Sequence, residues 1–261
     1  VNNGYGTALH AAADAWLVSL SYTLQIYFDF SGYSDMAVGL ARLFRVELPV
    51  NFDSPYQSKS ISEYWRRWHI TLGRVLRTCV YFPLGGSRKG EWRTYLNLVL
   101  TFLLSGLWHG AAWTYVLWGG LHGLIMALER CFWKQLEMLP GWIRQTGTFL
   151  LVNFLFVFFR SPSLKYACQM LKCMLKPDVF DFWGSGALLA DGIIGIPVEV
   201  GTILIVCFLS VLLWAVMRLP SSQTIASRWR PDVRHALLCV GLLAFSILHF
   251  SRGAVFIYFN I

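Results

Sequence analysis

Charge is scarce in this sequence. Asp, Glu, Lys and Arg make up 14% of its 261 residues, against about 25% in a typical soluble domain. With 56% of the chain hydrophobic, a water-facing surface cannot be assembled from what remains, and an ordinary soluble domain is excluded. Paired cysteines are missing as well. Cys79, Cys131, Cys168, Cys173, Cys207 and Cys239 show no C-x-x-C spacing, so neither a zinc site nor a disulfide framework is expected. Several of them sit in apolar runs, where a small buried thiol is common. No H-E-x-x-H or G-x-S-x-G sequence occurs, which removes the metalloprotease and serine-hydrolase readings that need them. The run Gly85-Gly-Ser-Arg-Lys-Gly90 lacks phosphate-loop spacing and reads as a basic turn. There is no tandem repeat and no low-complexity segment. The chain opens at Val1 without an initiator methionine or a signal-peptide pattern, and the expectation is that 1–261 form the carboxy-terminal part of one membrane domain whose upstream helices are missing.

What the sequence does hold is apolar length. Hydrophobic stretches run at about Ala11 to Phe30, Tyr95 to Leu107, Ala112 to Leu128, Phe149 to Phe159, Val200 to Met217 and Ala236 to Phe259. A membrane-crossing helix needs roughly 20 residues, so the first and the last two can span alone. Tyr95 to Leu128 reads either as a hairpin turning at Ser105-Gly-Leu-Trp-His-Gly110 or as one interrupted segment, with Gly106 and Gly110 as break points. Phe149 to Phe159 is extended backwards through Trp142. The 12 Trp and 19 Phe suit the aromatic belts of a bilayer. The fold class is therefore all-α, polytopic and transmembrane.

The net charge of +8 falls between apolar runs rather than on one exposed face, which argues against a nucleic-acid partner and for basic membrane loops. Placing Ser34 to Arg93, Glu129 to Gly147 and Arg218 to Arg234 in the cytoplasm puts 17 of the 22 Lys and Arg residues there, as the positive-inside tendency requires.

Ser34 to Arg93 is too polar to be a simple span. Pro49-Val-Asn-Phe-Asp-Ser-Pro55 is turn-rich. A helix is expected from about Ser60, capped by Ser60 or Ser62, with Ser60 and Glu63 in a capping-box arrangement. Glu63, Arg66, Arg67 and Arg74 alternate there with Tyr64, Trp65, Trp68, Ile70 and Leu72, as in an interfacial helix with its rings toward lipid and its guanidinium groups toward headgroups or an anionic ligand.

Ionisable groups are costly at membrane depth and are functional candidates by default. His109 lies among Leu103, Leu104, Trp108, Ala111 and Trp113, a setting that favours the neutral ring a general base requires. The alternative is a structural histidine bonded to a backbone carbonyl. Trp65-Arg66-Arg67-Trp68-His69 interleaves phosphate-binding and stacking groups, which fits a nucleotide-bearing donor such as a coenzyme A thioester and equally fits a plain interfacial helix. Asp29 and Asp35 end an apolar run, where they pair with basic residues or bind substrate hydroxyls. His122 is too far along the chain from His109 for a simple shared metal site, and no metal is expected.

Five runs, Tyr27-Phe-Asp-Phe-Ser-Gly-Tyr-Ser-Asp-Met36, Asn51-Phe-Asp-Ser-Pro-Tyr56, Glu63-Tyr-Trp-Arg-Arg-Trp-His-Ile-Thr-Leu72, Val80-Tyr-Phe-Pro-Leu-Gly-Gly86 and Ser105-Gly-Leu-Trp-His-Gly-Ala111, resemble the membrane-bound O-acyltransferase (MBOAT) family. Within it they look most like the alginate O-acetylation branch, which is similar to the D-alanyl transfer protein of teichoic acids. The ending Phe256-Ile-Tyr-Phe-Asn-Ile261 resembles a family carboxyl terminus. The resemblance implies a ring of membrane helices around a central channel in a bacterial inner membrane, with His109 as the essential histidine and His69 as a donor-binding or helper residue. Trp65, Arg66, Arg67 and Trp68 are then donor-binding candidates, and Asp29, Asp35 and Trp108 substrate-channel candidates. No tightly bound cofactor is implied. The donor is acetyl-CoA or another acyl thioester, the acceptor an extracytoplasmic polysaccharide, and the partners are the bilayer and other envelope acetylation proteins. One departure stands out: where family members commonly read Arg-Asp-Tyr-Val-Tyr, this chain reads Arg77-Thr78-Cys79-Val80-Tyr81, and an acidic group is lost. Two other readings are a proton-coupled transporter or flippase, which is expected to carry repeated halves not found here, and an acyltransferase acting on a lipid, teichoic acid or protein.

Overall fold

The computed structural model describes residues 12–177, 198–229 and 232–249, and every regular element among them is helical. Val1, Ala11, Arg252 and the ending Phe256 to Ile261 lie outside the described residues. The first helix, α1, runs Ala12–Leu43 and so continues well past Phe30 into the segment expected to be a loop. Nothing between Ser31 and Leu43 stops it. Gly32 and Gly39 are isolated glycines, and the first proline is Pro49. The buried face of α1 carries Asp14, Ser19, Thr23 and Ser34 beside its apolar residues, because it packs on protein.

After a turn at Pro55–Gln57 come two seven-residue helices, α2 (Ile61–Arg67) and α3 (Ile70–Leu76), the second running into a π-helical turn at Arg77–Tyr81. Next is a hairpin of α4 (Glu91–His109) and α5 (Trp113–Cys131), followed by the short α6 (Trp133–Glu137), then α7 (Gly141–Arg160) and α8 (Leu164–Met174). The described helices that follow are α9 (Val198–Arg218), α10 (Ser222–Ser227) and α11 (Val233–His249). Helix α7 packs against α1, α5 and α8, while α2 and the Pro55–Gln57 turn are wedged beside it.

The hairpin is the tightest pairing. Lipid tails are as apolar as leucine, so inside a bilayer close packing rather than apolar transfer holds helices together, and small residues let backbones approach. A Cβ on Gly106 would collide with the Tyr115 carbonyl oxygen, one on Gly119 with that of Phe102, and one on Gly123 would sit 2.6 Å from the Cα of Val99. Gly106 is thus a packing residue inside α4, and the break lies only at Gly110 to Ala112. At the open end of the hairpin, Arg130 donates two 2.9 Å hydrogen bonds to the carboxylate of Glu91 in the first turn of α4.

Among the described residues α7 alone is both long and apolar enough to cross a membrane, with a mean hydropathy of 1.3. The first of the runs expected to span alone falls short of this test, and the last two are described only in part, the run to Phe259 extending beyond the described residues. Asp14, Ser19, Thr23, Gln25 and Asp29 dilute α1, and the described apolar stretches of α9 and α11, Ile203–Arg218 and Val233–Leu248, are shorter. Polar bonds tie the bundle: the Thr23 hydroxyl donates to Asn153 Oδ1 at 2.7 Å, Tyr56 OH to the Thr23 carbonyl at 2.6 Å, and Trp16 Nε1 to the Met174 carbonyl at 3.0 Å. Only Cys173 is a buried thiol; Cys79, Cys131, Cys168, Cys207 and Cys239 are exposed, since they fall on outward faces of their helices and turns.

Candidate active site

Ser60 starts α2 as expected, its hydroxyl accepting the Glu63 N–H at 3.0 Å. The reciprocal half of the box differs: the Glu63 carboxylate takes the Lys59 N–H at 2.8 Å and also holds Arg67 at 2.9 Å. The remaining free N–H groups of the first turn go to Glu129, a buried carboxylate near the end of α5. It accepts from Ile61 N at 2.6 Å and Ser62 N at 3.2 Å. An anion at a helix start is favoured by the orphan N–H groups and by the dipole, so Glu129 locks the short helix onto the hairpin.

The helix expected from Ser60 does not continue through Leu72. It breaks at Trp68, which is extended, and at His69, which adopts a left-handed conformation with φ 44° and ψ 55°. For a residue with a Cβ that conformation costs on the order of 1–3 kcal/mol, and such outliers gather at functional sites. The break re-aims the aromatic residues. Tyr64, Trp65 and Trp68 are buried in the core rather than turned toward lipid, because their contacts are other rings: Trp68 packs on Phe52 at 5.0 Å, Tyr64 at 5.6 Å and Phe156 at 5.6 Å. Trp65 packs on Phe102 at 4.9 Å and His122 at 5.2 Å.

His69 is held by Asn51. Asn51 Oδ1 lies 3.1 Å from His69 Nδ1 and accepts from the backbone N–H and hydroxyl of Thr71 at 3.2 and 3.0 Å. The Thr71 N–H can only donate, which identifies the acceptor as the amide oxygen. His69 Nδ1 therefore carries the proton, and Nε2 is the basic nitrogen. Burial pushes the imidazole down to about 4, so the ring is neutral near pH 7.

His109 comes from the end of α4, where Gly110 stops the helix. Its ring lies 4.8 Å from Trp108, 5.0 Å from Phe159, 5.3 Å from Trp118 and 6.4 Å from Tyr115. Among the described residues it makes no hydrogen bond, and neighbouring rings set its orientation. His69 packs on Phe30 at 4.8 Å and on Trp108 at 6.5 Å, so both histidines lie beside the Trp108 ring. The arrangement thus brings together His69, Trp108 and His109 from two distant stretches of chain, with Asn51, Tyr115, Trp118 and Phe159 around them.

The other candidates are placed differently. Arg67 is engaged by Glu63 and by Asp53, at 3.6 Å from the Asp53 carboxylate, whereas Arg66 is exposed and lines a cavity with Arg74 and Arg77. Asp35 accepts a 2.8 Å hydrogen bond from Gln223 at a cavity that includes Tyr27 and Ser54. Asp29 is partly exposed. Neither aspartate forms an ion pair among the described residues. His122 is buried, with Nδ1 3.0 Å from the Trp118 carbonyl and its ring 4.7 Å from that of Trp118, so it supports Trp118 from behind rather than sharing a site with His109. Tyr115, Trp118 and Phe159 carried no sequence signal apart from their apolar surroundings. Asn51 sat in a motif that read as a turn.

A neutral imidazole among aromatic rings can take a proton from a hydroxyl as that oxygen attacks a carbonyl. Relatives carry chemistry of that kind in their names. The chain is 46% identical over 165 residues to a peptidoglycan O-acetyltransferase of Helicobacter pylori, covering 62% of this chain and 31% of that protein. It is 49% identical over 166 residues to a Pseudomonas putida protein named "Probable alginate O-acetylase AlgI", covering 62% and 34%. A teichoic acid D-alanyltransferase of Bacillus subtilis is 31% identical over 153 residues, 55% of this chain and 39% of that one. The chain thus spans about a third of the length of these relatives. A model of the membrane-bound O-acyltransferase family matches residues 7–168, the stretch that contains His69, His109 and their surroundings, and the chain belongs to that family.

Proposed function

We propose that this chain is the carboxy-terminal part of a membrane-embedded O-acyltransferase that moves an acetyl group from a cytoplasmic thioester to hydroxyls of an extracytoplasmic polysaccharide. The observation that carries the reading is the meeting of two histidines, from the α2–α3 break and the end of α4, on the single ring of Trp108. His109 removes the acceptor proton as the hydroxyl oxygen attacks the thioester carbonyl. A carbon–oxygen bond forms, the carbon–sulfur bond breaks, and the proton passes from His109 to the departing thiolate. His69, held as the Nδ1–H tautomer by Asn51, assists with Nε2. No covalent nucleophile is required, so transfer is direct. Trp65, Arg66, Arg67 and Trp68 belong to the donor side, and Asp29, Asp35 and Trp108 to the substrate channel.

In this reading the helices described here complete, with the rest of a longer protein, a ring around a channel in a bacterial inner membrane. The basic loops lie on the cytoplasmic side, and other envelope acetylation proteins act with the enzyme. The names of the relatives support a carbohydrate-containing polymer as acceptor. The test is acetyl ester content of the envelope polysaccharide, by mass spectrometry, in cells making the full-length protein or its His109→Gln variant at matched membrane abundance. Loss of acetylation is expected, and normal acetylation by a well-expressed His109→Gln protein refutes the reading.

A further inference from the structure

A cavity of about 310 Å³ lies where the second half of α1 meets the junction of α9 and α10. Asp35 lines it together with Tyr27, Ser31, Ser54 and Ser222, and no Lys, Arg or His does. Tyr27, Ser31 and Asp35 are spaced four residues apart, so one face of α1 presents all three. Asp35 is half-buried. One of its carboxylate oxygens accepts a 2.8 Å hydrogen bond from the Gln223 amide, a neutral donor, and among the described residues no cation pairs with it. A carboxylate beside apolar surroundings is costly unless an opposite charge meets it. The hydroxyls around it are unused as well. Ser54 is 6% exposed, yet its hydroxyl makes no hydrogen bond among the described residues, and the same holds for Tyr27, Ser31 and Ser222. Buried polar groups are nearly always hydrogen-bonded, and the cavity is the side from which a partner for Ser54 and Asp35 can arrive.

The chemistry narrows the ligand. The unneutralised carboxylate sets a cation above a neutral sugar or polyol. A bare metal ion wants a closed shell of oxygens, whereas the wall facing α1 is apolar, with Ala215, Val216 and Leu219. An organic ammonium uses both sides. Its three N–H donors meet Asp35 and the hydroxyl oxygens, and its carbons lie on that wall and on the Tyr27 ring, whose face attracts cations. Phe28, Leu219 and Ile225, which also line the cavity, are exposed, so an apolar tail has a surface to follow outward. We infer that the cavity around Asp35 and Ser54 is a binding site for the primary ammonium headgroup of a membrane lipid of the phosphatidylethanolamine type, with Asp35 as its counter-ion. The inference does not rest on the proposed acyl transfer. Asp35 stands with the substrate channel on resemblance alone; neither His69 nor His109 lines its cavity, and the residue of α1 that meets His69 is Phe30.

The experiment uses full-length protein taken from vesicles of equal parts phosphatidylethanolamine, phosphatidylcholine and phosphatidylglycerol, and native mass spectrometry reads which lipid is retained. Wild type is expected to retain phosphatidylethanolamine at least tenfold over phosphatidylcholine, whose ammonium carries methyl groups and no N–H. Asp35→Asn removes the charge and keeps an oxygen for Gln223, and Gln223→Lys supplies an ammonium to Asp35 from within. Both are expected to abolish the preference. Ser54→Ala removes one acceptor with little change in volume and is expected to weaken it severalfold; its result decides the case if the other two variants melt early. Binding of added ethanolamine that depends on Asp35, without lipid preference, supports the ammonium site and assigns it to a soluble amine. If wild type prefers neither ligand, or if variants with the wild-type melting temperature retain phosphatidylethanolamine as wild type does, the inference is overturned.

Discussion

His69 donates its Nδ1–H to Asn51 Oδ1 across 3.1 Å while sitting in a left-handed backbone conformation. One contact thus fixes the tautomer, the ring direction and a strained turn at once. If the proposed helper role of His69 holds, Asn51→Ala lowers the acetylation rate by about tenfold, the equivalent of roughly 1.4 kcal/mol, and Asn51→Asp, which keeps an acceptor oxygen, recovers most of it. The check is the initial rate of acetyl transfer by both full-length variants, with thermal stability followed alongside. A purely structural Asn51 would lower stability without the rescue in rate.

Glu129 gives a stability prediction of another kind. Its carboxylate closes two N–H groups at the start of α2 from a helix far away in sequence. Glu129→Ala leaves those buried donors without an acceptor, at about 1–3 kcal/mol. A lowered melting temperature in detergent is expected, with a smaller loss for Glu129→Gln, which keeps one acceptor oxygen.

Much of the local architecture could be read from the residues. The Ser60 cap and the turn at Gly85 to Gly90 follow from local chemistry, and local chemistry is what a sequence displays, whereas Tyr95 to Leu128 reads equally as a hairpin or as one interrupted segment. The break at His69 was hidden, because Trp-Arg-Arg-Trp-His has good helical spacing and no Gly or Pro to betray the interruption. What enforces it is distant: Asn51 on one side, and on the other a cluster of rings that accommodates Trp65 and Trp68 together only if the chain turns between them. Trp118 and Phe159 were illegible for the same reason, since an apolar residue facing a histidine is indistinguishable in sequence from one facing lipid. Arg66 and Arg67 look equivalent side by side and differ only because Glu63 and Asp53 reach one of them.

A glycine of the hairpin and one of α7 predict opposite signs for the same substitution. At Gly119 an added methyl group meets the Phe102 carbonyl, which is backbone and cannot swing aside. Gly119→Ala is expected to destabilise by about 1–3 kcal/mol, the usual range for overpacking. Gly147, on α7, has nothing within 4 Å of the corresponding position, and Gly147→Ala is expected to stabilise by about 0.4–1 kcal/mol through the unfolded chain. Thermal unfolding of the two variants in one detergent checks both signs together.

The last prediction concerns whether the two histidines form one proton path. Loss of a general base typically costs roughly 10²- to 10⁴-fold in rate, and that range is expected for His109→Gln. Residues that act as a unit show strongly non-additive losses. With Trp108 touching both rings, His69→Gln alone should slow transfer, while the His69→Gln/His109→Gln protein should be scarcely slower than His109→Gln, because the helper has nothing left to assist. Glutamine preserves hydrogen bonding and approximate volume at each site, so the rings that surround the histidines remain packed. Initial rates of acetyl transfer by the wild-type, single and double full-length variants, normalised to membrane abundance, give the coupling directly. If the two losses simply multiply, His69 and His109 act in separate steps, and the shared proton path is wrong.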